Sequence, residues 1–317
     1  MIFLTGANGQ VGHELRHTLA SLGSVVATTR ADLDLSDESA IRAAVRAASP
    51  RVIVNAAAYT AVDAAESDVA ACTWLNVDVP RILAEEADRC GAWLVHYSTD
   101  YVFDGTGTRP YRESDPVAPL GVYGRTKADG EAAVRAVCAR HLIIRVAWVY
   151  GLRGKNFLLT IRRLAAGGGP LWIVSDQVGG PTWSRAIAEG TAGMIGVVVG
   201  ESNSGHSNSG YSNSGYSNSG YSNGGLEMAG TYHLSGEGAC SWHEFATEIV
   251  RRPGVNPFPE IRAISTAEFP TPARRPAYSV LDPGKCRATF GISLPHWRDQ
   301  LAACLATDPA GAPPAAT

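Results

Sequence analysis

The sequence lacks a strong excess of charge of either sign. Its 27 lysines and arginines nearly balance its 30 aspartates and glutamates, and the formal net charge is -3 at pH 7. Proteins that bind nucleic acids or anionic membrane surfaces through electrostatics usually carry a clear basic patch or tail. We therefore expect neither a nucleic-acid partner nor a membrane partner.

The sequence also lacks a long apolar run. The stretch at residues 194–199 is far shorter than the roughly 20 apolar residues that span a bilayer. At the N-terminus, Met1 leads directly into Ile2, Phe3 and Leu4, without the basic segment that opens a signal peptide. These features predict a cytoplasmic protein.

Closely spaced metal ligands are missing too. The six cysteines lie far apart, no two of them with the CxxC spacing of a zinc or redox site, and the eight histidines are scattered. The sequence therefore predicts reduced, mostly buried thiols and no metal site.

What the chain does contain is an alternation of short apolar segments with longer amphipathic ones over its first half. The apolar segments, at Ile2–Thr5, 25–28, Val52–Asn55, 93–97 and 142–146, read as strands. The segments at 10–22, 37–48, the stretch ending at 88, and 123–139 read as helices. Apolar strands separated by helices indicate an α/β fold, a Rossmann-type doubly wound parallel sheet whose ligands bind at the carboxyl ends of the strands.

The second half has a looser pattern, with more glycine and proline. We expect residues 1–150 to form a dinucleotide-binding Rossmann domain, completed by parts of 171–200 and 229–235, and residues 151–310 to form mainly a smaller substrate-binding region. Residues 202–225 repeat Ser-Asn-Ser-Gly-Tyr and contain no aliphatic side chain, so they cannot contribute to a core. We interpret them as a low-complexity insert in a surface loop.

A glycine-rich turn follows the first strand directly and opens the first helix. Glycines at every third position allow a tight turn, a close approach of backbone N–H groups to a pyrophosphate, and close packing of helix on strand. The position of the turn between strand and helix supports a dinucleotide site. The candidate cofactor contacts in this turn are Gly6, Asn8, Gly9, Gln10, Val11 and Gly12.

The end of the second strand selects between NAD and NADP. Arg30 stands there after two threonines, and a guanidinium can contact a 2′-phosphate through two hydrogen bonds. Asp32 lies close to the position of an acidic residue that binds the ribose of NAD, so NADH stays open beside the favoured NADPH. Further candidate cofactor contacts, at the adenine edge and after the third strand, are Asp34, Leu35, Ala56, Ala57 and Ala58.

Tyr123 and Lys127 stand four residues apart at the start of a predicted helix, on one face and roughly 6 Å apart. An ammonium group so close is expected to lower the pKa of the phenol and prepare it for proton transfer. Ser98, Thr99 and Asp100 follow the fourth strand, where a hydroxyl can bind both a substrate oxygen and the tyrosine. After a glycine-rich dinucleotide turn, this combination favours a catalytic site over an exposed helix face.

At this point the chain resembles the extended short-chain dehydrogenases/reductases, and among them the dTDP-4-dehydrorhamnose reductase family. The resemblance covers most of the chain outside the repeat. It rests on TGANGQVGHEL (5–15), VIVNAAAYTAVDAAE (52–66), HYSTDYVFDG (96–105), VYGRTKADGE (122–131), RVAWVYG (145–151), SDQVGGPT (175–182) and PTPARRPAYS (270–279).

The resemblance implies NADPH-dependent reduction of the C4 keto group of dTDP-4-dehydro-L-rhamnose, giving dTDP-L-rhamnose, a precursor of cell-wall or surface polysaccharides. It implies a catalytic triad of Thr99, Tyr123 and Lys127, the last two also contacting the cofactor. The substrate contacts that it implies are Thr60, Val62, Asp100, Trp148, Arg274 and Arg275. Trp148 could instead be a core residue at a strand end, and the two arginines could be solvated charges.

The resemblance also bears on metal binding and on the oligomeric state. Members of the family have been associated with Mg²⁺ held by glutamates at a homodimer interface. Glu14 fits one such position, but Arg185 stands where a second carboxylate is expected, which argues against the metal.

Three other functions remain open from the sequence. The first is a reductase or epimerase of another nucleotide sugar, since the fold and the triad are shared across the superfamily. The second is a non-catalytic, NADP-binding regulatory subunit, against which the complete triad argues. The third, a redox-sensing scaffold, is supported only by the repeat.

Overall fold

Six parallel strands form the central sheet of the computed structural model, which describes residues 1–200, 225–251 and 259–308. The strands are β1 (Ile2–Thr5), β2 (Val25–Ala27), β3 (Val52–Asn55), β4 (Trp93–Thr99), β5 (His141–Val146) and β10 (Gly230–His233), in the spatial order β10-β5-β4-β3-β1-β2. The predicted repeat at 202–225 lies outside the described residues except for Gly225.

Helices cover both faces of this sheet. The helices around it are α1 (Gln10–Thr18), α2 (Glu38–Ala48), α3 (Val62–Ala65), α4 (Val69–Thr73), α5 (Val79–Cys90), α6 (Val122–Val137) and α8 (Ser184–Val198). Successive strand residues alternate between two cores: Leu4 packs with residues of α1 and α8, whereas Phe3 packs with residues of α2, α5 and α6. The predicted doubly wound α/β fold is confirmed.

The second half of the chain adds short elements around the carboxyl edge of the sheet. They are β6 (Val149–Tyr150), α7 (Phe157–Ala166), β7 (Leu171–Val174), β8 (Val178–Gly179), β9 (Thr182–Trp183), β11 (Gly236–Glu237), β12 (Cys240–Ser241), α9 (Trp242–Arg251), β13 (Ile261–Ile264), α10 (Gly284–Phe290), β14 (Leu294–His296) and α11 (Trp297–Ala306). These strands pair two by two, as β6–β9, β7–β13, β8–β12 and β11–β14. Helix α8 and strand β10 come from this half but belong to the central layers.

The helical stretch predicted before residue 88 is divided into three helices. A π-helical turn, Trp74–Asp78, lies between α4 and α5, and it places the buried Asn76 toward the loop that follows β3. The Asn76 side chain accepts from the Tyr59 amide and donates to the Tyr59 carbonyl. The irregular turn thus fixes a loop that borders the site described next.

Candidate active site

The candidate residues gather at the carboxyl edge of the sheet, where the loops after β1, β3 and β4 meet the first turn of α6. The glycine turn after β1 and the alanine run after β3 are in direct contact. Gly6 has φ +70°, and a Cβ at this position would lie 2.6 Å from the Ala57 nitrogen. A Cβ at Gly12 would lie 2.1 Å from the Gly6 carbonyl oxygen. Both positions therefore require glycine, as the sequence indicated.

Helix α1 begins with its N-terminal amides uncapped by any side chain and without an acidic residue in its first turn. Free N–H groups and the positive end of the helix dipole favour an anion at this point. Asn8 and Gly9 are exposed at the tip of the turn, whereas the Gln10 side chain accepts a hydrogen bond of 2.8 Å from Asn156. The cradle fits the pyrophosphate of a dinucleotide.

The end of β2 presents one unpaired cation. Arg30 is exposed and forms no ion pair with any residue in the described part of the chain. Asp32 accepts hydrogen bonds from the Thr29 hydroxyl (2.7 Å) and the Thr29 amide (2.9 Å), which lower the pKa of its carboxyl group. Asp34 is likewise engaged, by Ser36, and Leu35 is half-buried. This edge therefore offers a guanidinium to a phosphate, while its nearest carboxylate is held in a turn.

Two glycines bring α6 unusually close to its neighbours. A Cβ at Gly124 would lie 2.2 Å from the Tyr101 carbonyl oxygen, and one at Gly130 would lie 2.0 Å from the Asn76 carbonyl oxygen. Because these neighbours are backbone atoms, they cannot move aside as a flexible side chain does. These glycines allow α6 to pack closely against its neighbours, and this packing determines where Tyr123 and Lys127 lie in the site.

The predicted triad comes together at the head of this helix. Thr99 ends β4, accepts from the Tyr101 amide at 3.2 Å, and donates to the Asp100 carboxylate at 3.0 Å. A side-chain hydrogen bond joins Thr99 to Tyr123. Lys127 is only 2% exposed and donates to the Tyr97 carbonyl oxygen at 2.6 Å.

The protonation of these groups differs from the sequence-based expectation. Burial raises the pKa of Tyr123 to about 12, while the hydrogen bond with Thr99 acts in the opposite direction. Burial also lowers the pKa of Lys127 to about 8, against the opposing charge of Glu131. The expected lowering of the phenol pKa is thus wrong for this structure: Lys127 binds the Tyr97 carbonyl, and burial dominates. Tyr123 is a neutral phenol across the physiological pH range.

Asp100 follows the triad threonine and is 2% exposed. Burial raises the pKa of its carboxyl group to about 6, and hydrogen bonds from Ser279 and Thr99 act in the opposite direction. A carboxyl group in this condition changes charge close to neutral pH and can either accept or donate a hydrogen bond.

Some of the predicted substrate contacts line a single cleft with the phenol. Val62, Arg274 and Tyr123 border it together with Tyr101 and Gly121. Arg274 is exposed and forms no ion pair within the described ranges, while Thr60 lies exposed just before α3. These cleft residues thus lie together beside the triad.

Arg275, in contrast, is engaged within the protein. Its guanidinium pairs with both carboxylate oxygens of Asp63, at 3.0 and 2.8 Å, and also donates to the Ala273 carbonyl. The pair connects the loop that contains Arg274 and Arg275 to α3. The two residues are 212 positions apart, so no local pattern signals the pair.

Trp148 is half-buried and has an uncommon backbone conformation, with φ +43°. Its indole stacks on that of Trp242, with ring centroids 3.4 Å apart and planes 2° apart. Gly179 lies against the edge of the ring, where a Cβ would come within 2.3 Å. The sequence singled out Trp148 but gave no signal for Trp242, whose role depends on a contact distant along the chain.

The residues of the implied metal site do not fit a metal. Arg185 donates to the Glu14 carboxylate at 2.9 Å, so a guanidinium occupies the place of a cation. Within residues 1–200, 225–251 and 259–308, no group of three or more His, Cys, Asp or Glu side chains could hold a metal ion.

The comparisons with known proteins agree with this geometry. A family model described as the RmlD substrate binding domain matches residues 1–218 and 221–309. A dTDP-4-dehydrorhamnose reductase of Burkholderia thailandensis is 44% identical over 310 residues, which cover 96% of this chain and 97% of the relative.

Solved structures are similar along nearly their whole length. A dTDP-4-dehydrorhamnose reductase from Clostridium acetobutylicum matches with a TM-score of 0.84 and 34% identity, over 96% of this chain and 98% of that one. Another, from Bacillus anthracis in complex with NADP, matches with a TM-score of 0.83 and 30% identity, over 97% and 99%.

Proposed function

This chain belongs to the dTDP-4-dehydrorhamnose reductase family, and we propose that it reduces the C4 keto group of dTDP-4-dehydro-L-rhamnose with NADPH to give dTDP-L-rhamnose. The observation that carries this proposal is the meeting of Thr99, Tyr123 and Lys127 beside the glycine cradle, at one edge of the sheet. A module that only binds a dinucleotide has no need of a buried phenol at this point.

The cradle at Gly6, Gly9 and Gly12 and the uncapped start of α1 would hold the pyrophosphate. Arg30 would contact a 2′-phosphate, since it stands exposed after β2 and pairs with no carboxylate of the described residues. Ala56 and Ala57, whose backbone packs against the glycine turn, would present only small side chains to a flat cofactor. When bound, NADPH supplies the hydride.

Tyr123 donates its proton to the carbonyl oxygen of the substrate. The raised pKa of this phenol keeps the proton on the oxygen until negative charge develops on the substrate. Thr99, hydrogen-bonded to Tyr123, orients the same carbonyl oxygen. Lys127, whose amine shares the helix face of the phenol, binds the nicotinamide ribose.

The sugar nucleotide lies in the cleft that Val62, Tyr123 and Arg274 border. The free guanidinium of Arg274 faces the diphosphate of the substrate, Trp148 packs against the deoxysugar, and Asp100 and Thr60 provide polar contacts. Arg275 contributes indirectly, because its pair with Asp63 holds the loop that carries Arg274.

The enzyme acts as a cytoplasmic homodimer in this proposal. No helix among the described residues is long and apolar enough to cross a membrane. All six cysteines are free thiols, and five of them are buried, as suits a reducing compartment. The dimer rests on the family resemblance, and light scattering coupled to gel filtration tests it by mass.

The decisive test of the reaction follows NADPH oxidation at 340 nm with enzymatically generated dTDP-4-dehydro-L-rhamnose. We expect oxidation with formation of dTDP-L-rhamnose, and a loss of turnover of about 100-fold or more in Tyr123→Phe, which keeps the fold and removes the proton. If NADPH binds but this substrate is not reduced, the result would instead indicate that the substrate is another nucleotide sugar. Full activity of the variant would remove Tyr123 from its role.

A further inference from the structure

A chain of buried polar side chains extends behind Lys127, away from the cleft. Asn55 is 1% exposed and His96 is fully buried. The Asn55 amide nitrogen lies 3.2 Å from His96 Nδ1, and His96 Nε2 lies 3.5 Å from the Lys127 amine. Neither Asn55 nor His96 has a role in the reduction as described so far.

The orientation of Asn55 determines the tautomer of His96. The Ala57 amide, which can only donate, points at the Asn55 side-chain oxygen from 3.3 Å, and the Thr5 hydroxyl donates to the same oxygen at 2.7 Å. The Asn55 NH₂ group must therefore face the imidazole. Because this group only donates, His96 Nδ1 must accept, and the ring proton resides on Nε2.

The charge of the imidazole is fixed as well. Burial, together with the neighbouring Lys127, keeps the pKa of His96 well below its usual value, so the ring stays neutral. The neutral ring then presents an N–H donor to the lysine.

The Nε2–H group of His96 faces the Lys127 nitrogen, which has only donors when it is protonated. An ammonium group has no lone pair, so two N–H groups would point at one another. An uncharged amine has a lone pair that accepts from Nε2–H while its own N–H donates to the Tyr97 carbonyl at 2.6 Å. The arrangement therefore stabilises the uncharged amine relative to the ammonium.

We propose that His96, oriented by Asn55, is a positioning residue for the reduction: it holds the Lys127 amine in place and favours its uncharged form. This inference rests on the proposed function of Lys127. A lysine with both forms accessible near neutral pH can give a proton to the Tyr123 phenolate after turnover, becoming an amine, and regain a proton from solvent.

Other groups that face Lys127 act in the opposite direction. Glu131, one turn further along α6, favours the ammonium through its negative charge, and Cys72, on α4, acts in the same direction. Glu131 is itself paired with Arg145 at 2.7 Å and Arg135 at 3.1 Å, which reduces its effect. Burial lowers the pKa of the Lys127 amine to about 8, and the proposed effect of His96 has the same direction.

The tautomer can be measured without any substrate or cofactor. In ¹⁵N-histidine spectra, we expect the His96 signal, assigned by its loss in His96→Asn, to show a protonated Nε2 and an unprotonated Nδ1. In Asn55→Asp, a carboxylate faces Nδ1 in place of an NH₂ group, and we expect the proton to move to Nδ1. A wild-type spectrum with the proton on Nδ1 would overturn the proposal.

The pH dependence of turnover measures the consequence for Lys127. We expect wild-type kcat to fall as the pH rises through the pKa of the amine. In Asn55→Asp and His96→Asn, which remove the Nε2–H donor, the midpoint should rise by about one pH unit. His96→Gln, whose amide can reach the same place and donate, should stay closer to the wild type.

Thr191→Val is the matched control. Thr191 accepts a buried hydrogen bond of 2.7 Å from the hydroxyl of Tyr97, the residue next to His96. Its loss should lower stability without moving the midpoint. If Asn55→Asp fails to fold, His96→Asn decides alone. An unchanged midpoint in folded His96→Asn would overturn the proposal but leave the reductase function intact, whereas full activity of Tyr123→Phe would overturn the function itself.

Discussion

The indole rings of Trp148 and Trp242 lie parallel and in contact, one from the end of the Rossmann half and one from the first turn of α9. Phe157 packs on the second indole, with ring centroids 4.5 Å apart, and Gln177 accepts from its N–H at 3.2 Å. The stack thus holds Trp148 in its strained backbone conformation and covers one face of the ring. Only the remaining surface of Trp148 is left for a sugar.

We expect Trp242→Ala to raise the KM for the sugar nucleotide by about 10-fold, a loss typical of one aromatic contact, with a smaller effect on kcat. Loss of the stack should also remove the coupled signal of the two indoles from the circular dichroism spectrum near 230 nm. Trp172→Phe, at a tryptophan that is 54% exposed, is the control and should change neither quantity. An unchanged KM in folded Trp242→Ala would show that Trp148 does not depend on its neighbour.

The close approach of α6 to Asn76 gives a prediction about stability. Gly130→Ala places a methyl group against a backbone carbonyl, and we expect a loss of about 1–3 kcal/mol of unfolding free energy. Gly193→Ala, within α8, meets only the end of the Ile292 side chain and should be neutral or gain up to about 1 kcal/mol from helix propensity. Urea denaturation of both variants measures the difference. Equal effects would contradict the packing argument.

These contacts show where sequence reasoning succeeded and where it stopped. Strands β1 and β3 have the predicted bounds because each is a continuous apolar run between polar or glycine-rich segments. The glycine turn was predictable because its geometry is local. The stack on Trp242 and the pair between Arg275 and Asp63 join distant parts of the chain, so no spacing in the sequence indicates them.

The protonation of Tyr123 was beyond sequence reasoning for a different reason. A spacing of four residues on a helix places a lysine near a tyrosine, and from that alone a lowered phenol pKa follows. Burial depends on everything that packs above the helix, and here it raises the pKa of the phenol, in the same direction as the neighbouring Asp100.

The free guanidinium of Arg30 predicts the choice of cofactor. We expect Arg30→Ala to raise the KM for NADPH about 10-fold or more while changing the KM for NADH little, since only NADPH carries the 2′-phosphate. Steady-state rates with each cofactor give the two constants. Equal increases for NADPH and NADH would place the phosphate elsewhere.

The pair of Arg185 with Glu14 predicts independence from divalent cations. We expect the midpoint of thermal unfolding and the turnover to be the same in excess EDTA and in excess Mg²⁺. Arg185→Glu places two carboxylates together, and only this variant should become more stable when Mg²⁺ is added. A loss of wild-type activity in EDTA that Mg²⁺ restores would contradict the structural argument.

The buried Glu86 predicts how stability changes in acid. Its carboxylate, 1% exposed, is bound by Arg46, Arg89 and Arg42, whose hydrogen bonds lower its pKa to about 2 against the opposing effect of burial. A carboxyl group with a lowered pKa in the folded state stabilises the fold fully above its unfolded pKa of about 4.5, and this contribution disappears as the pH falls toward 2.

We therefore expect Glu86→Gln to lower the urea midpoint at pH 7, and the difference from the wild type to shrink between about pH 4.5 and pH 2. Glu38→Gln is the control, because Glu38 binds the same Arg42 but its side chain is 45% exposed, where solvent screens the pair. That variant should stay close to the wild type at every pH. A difference for Glu86→Gln that persists undiminished at pH 2 would mean that the amide disturbs packing, and that the charge of Glu86 does not link α2 to α5.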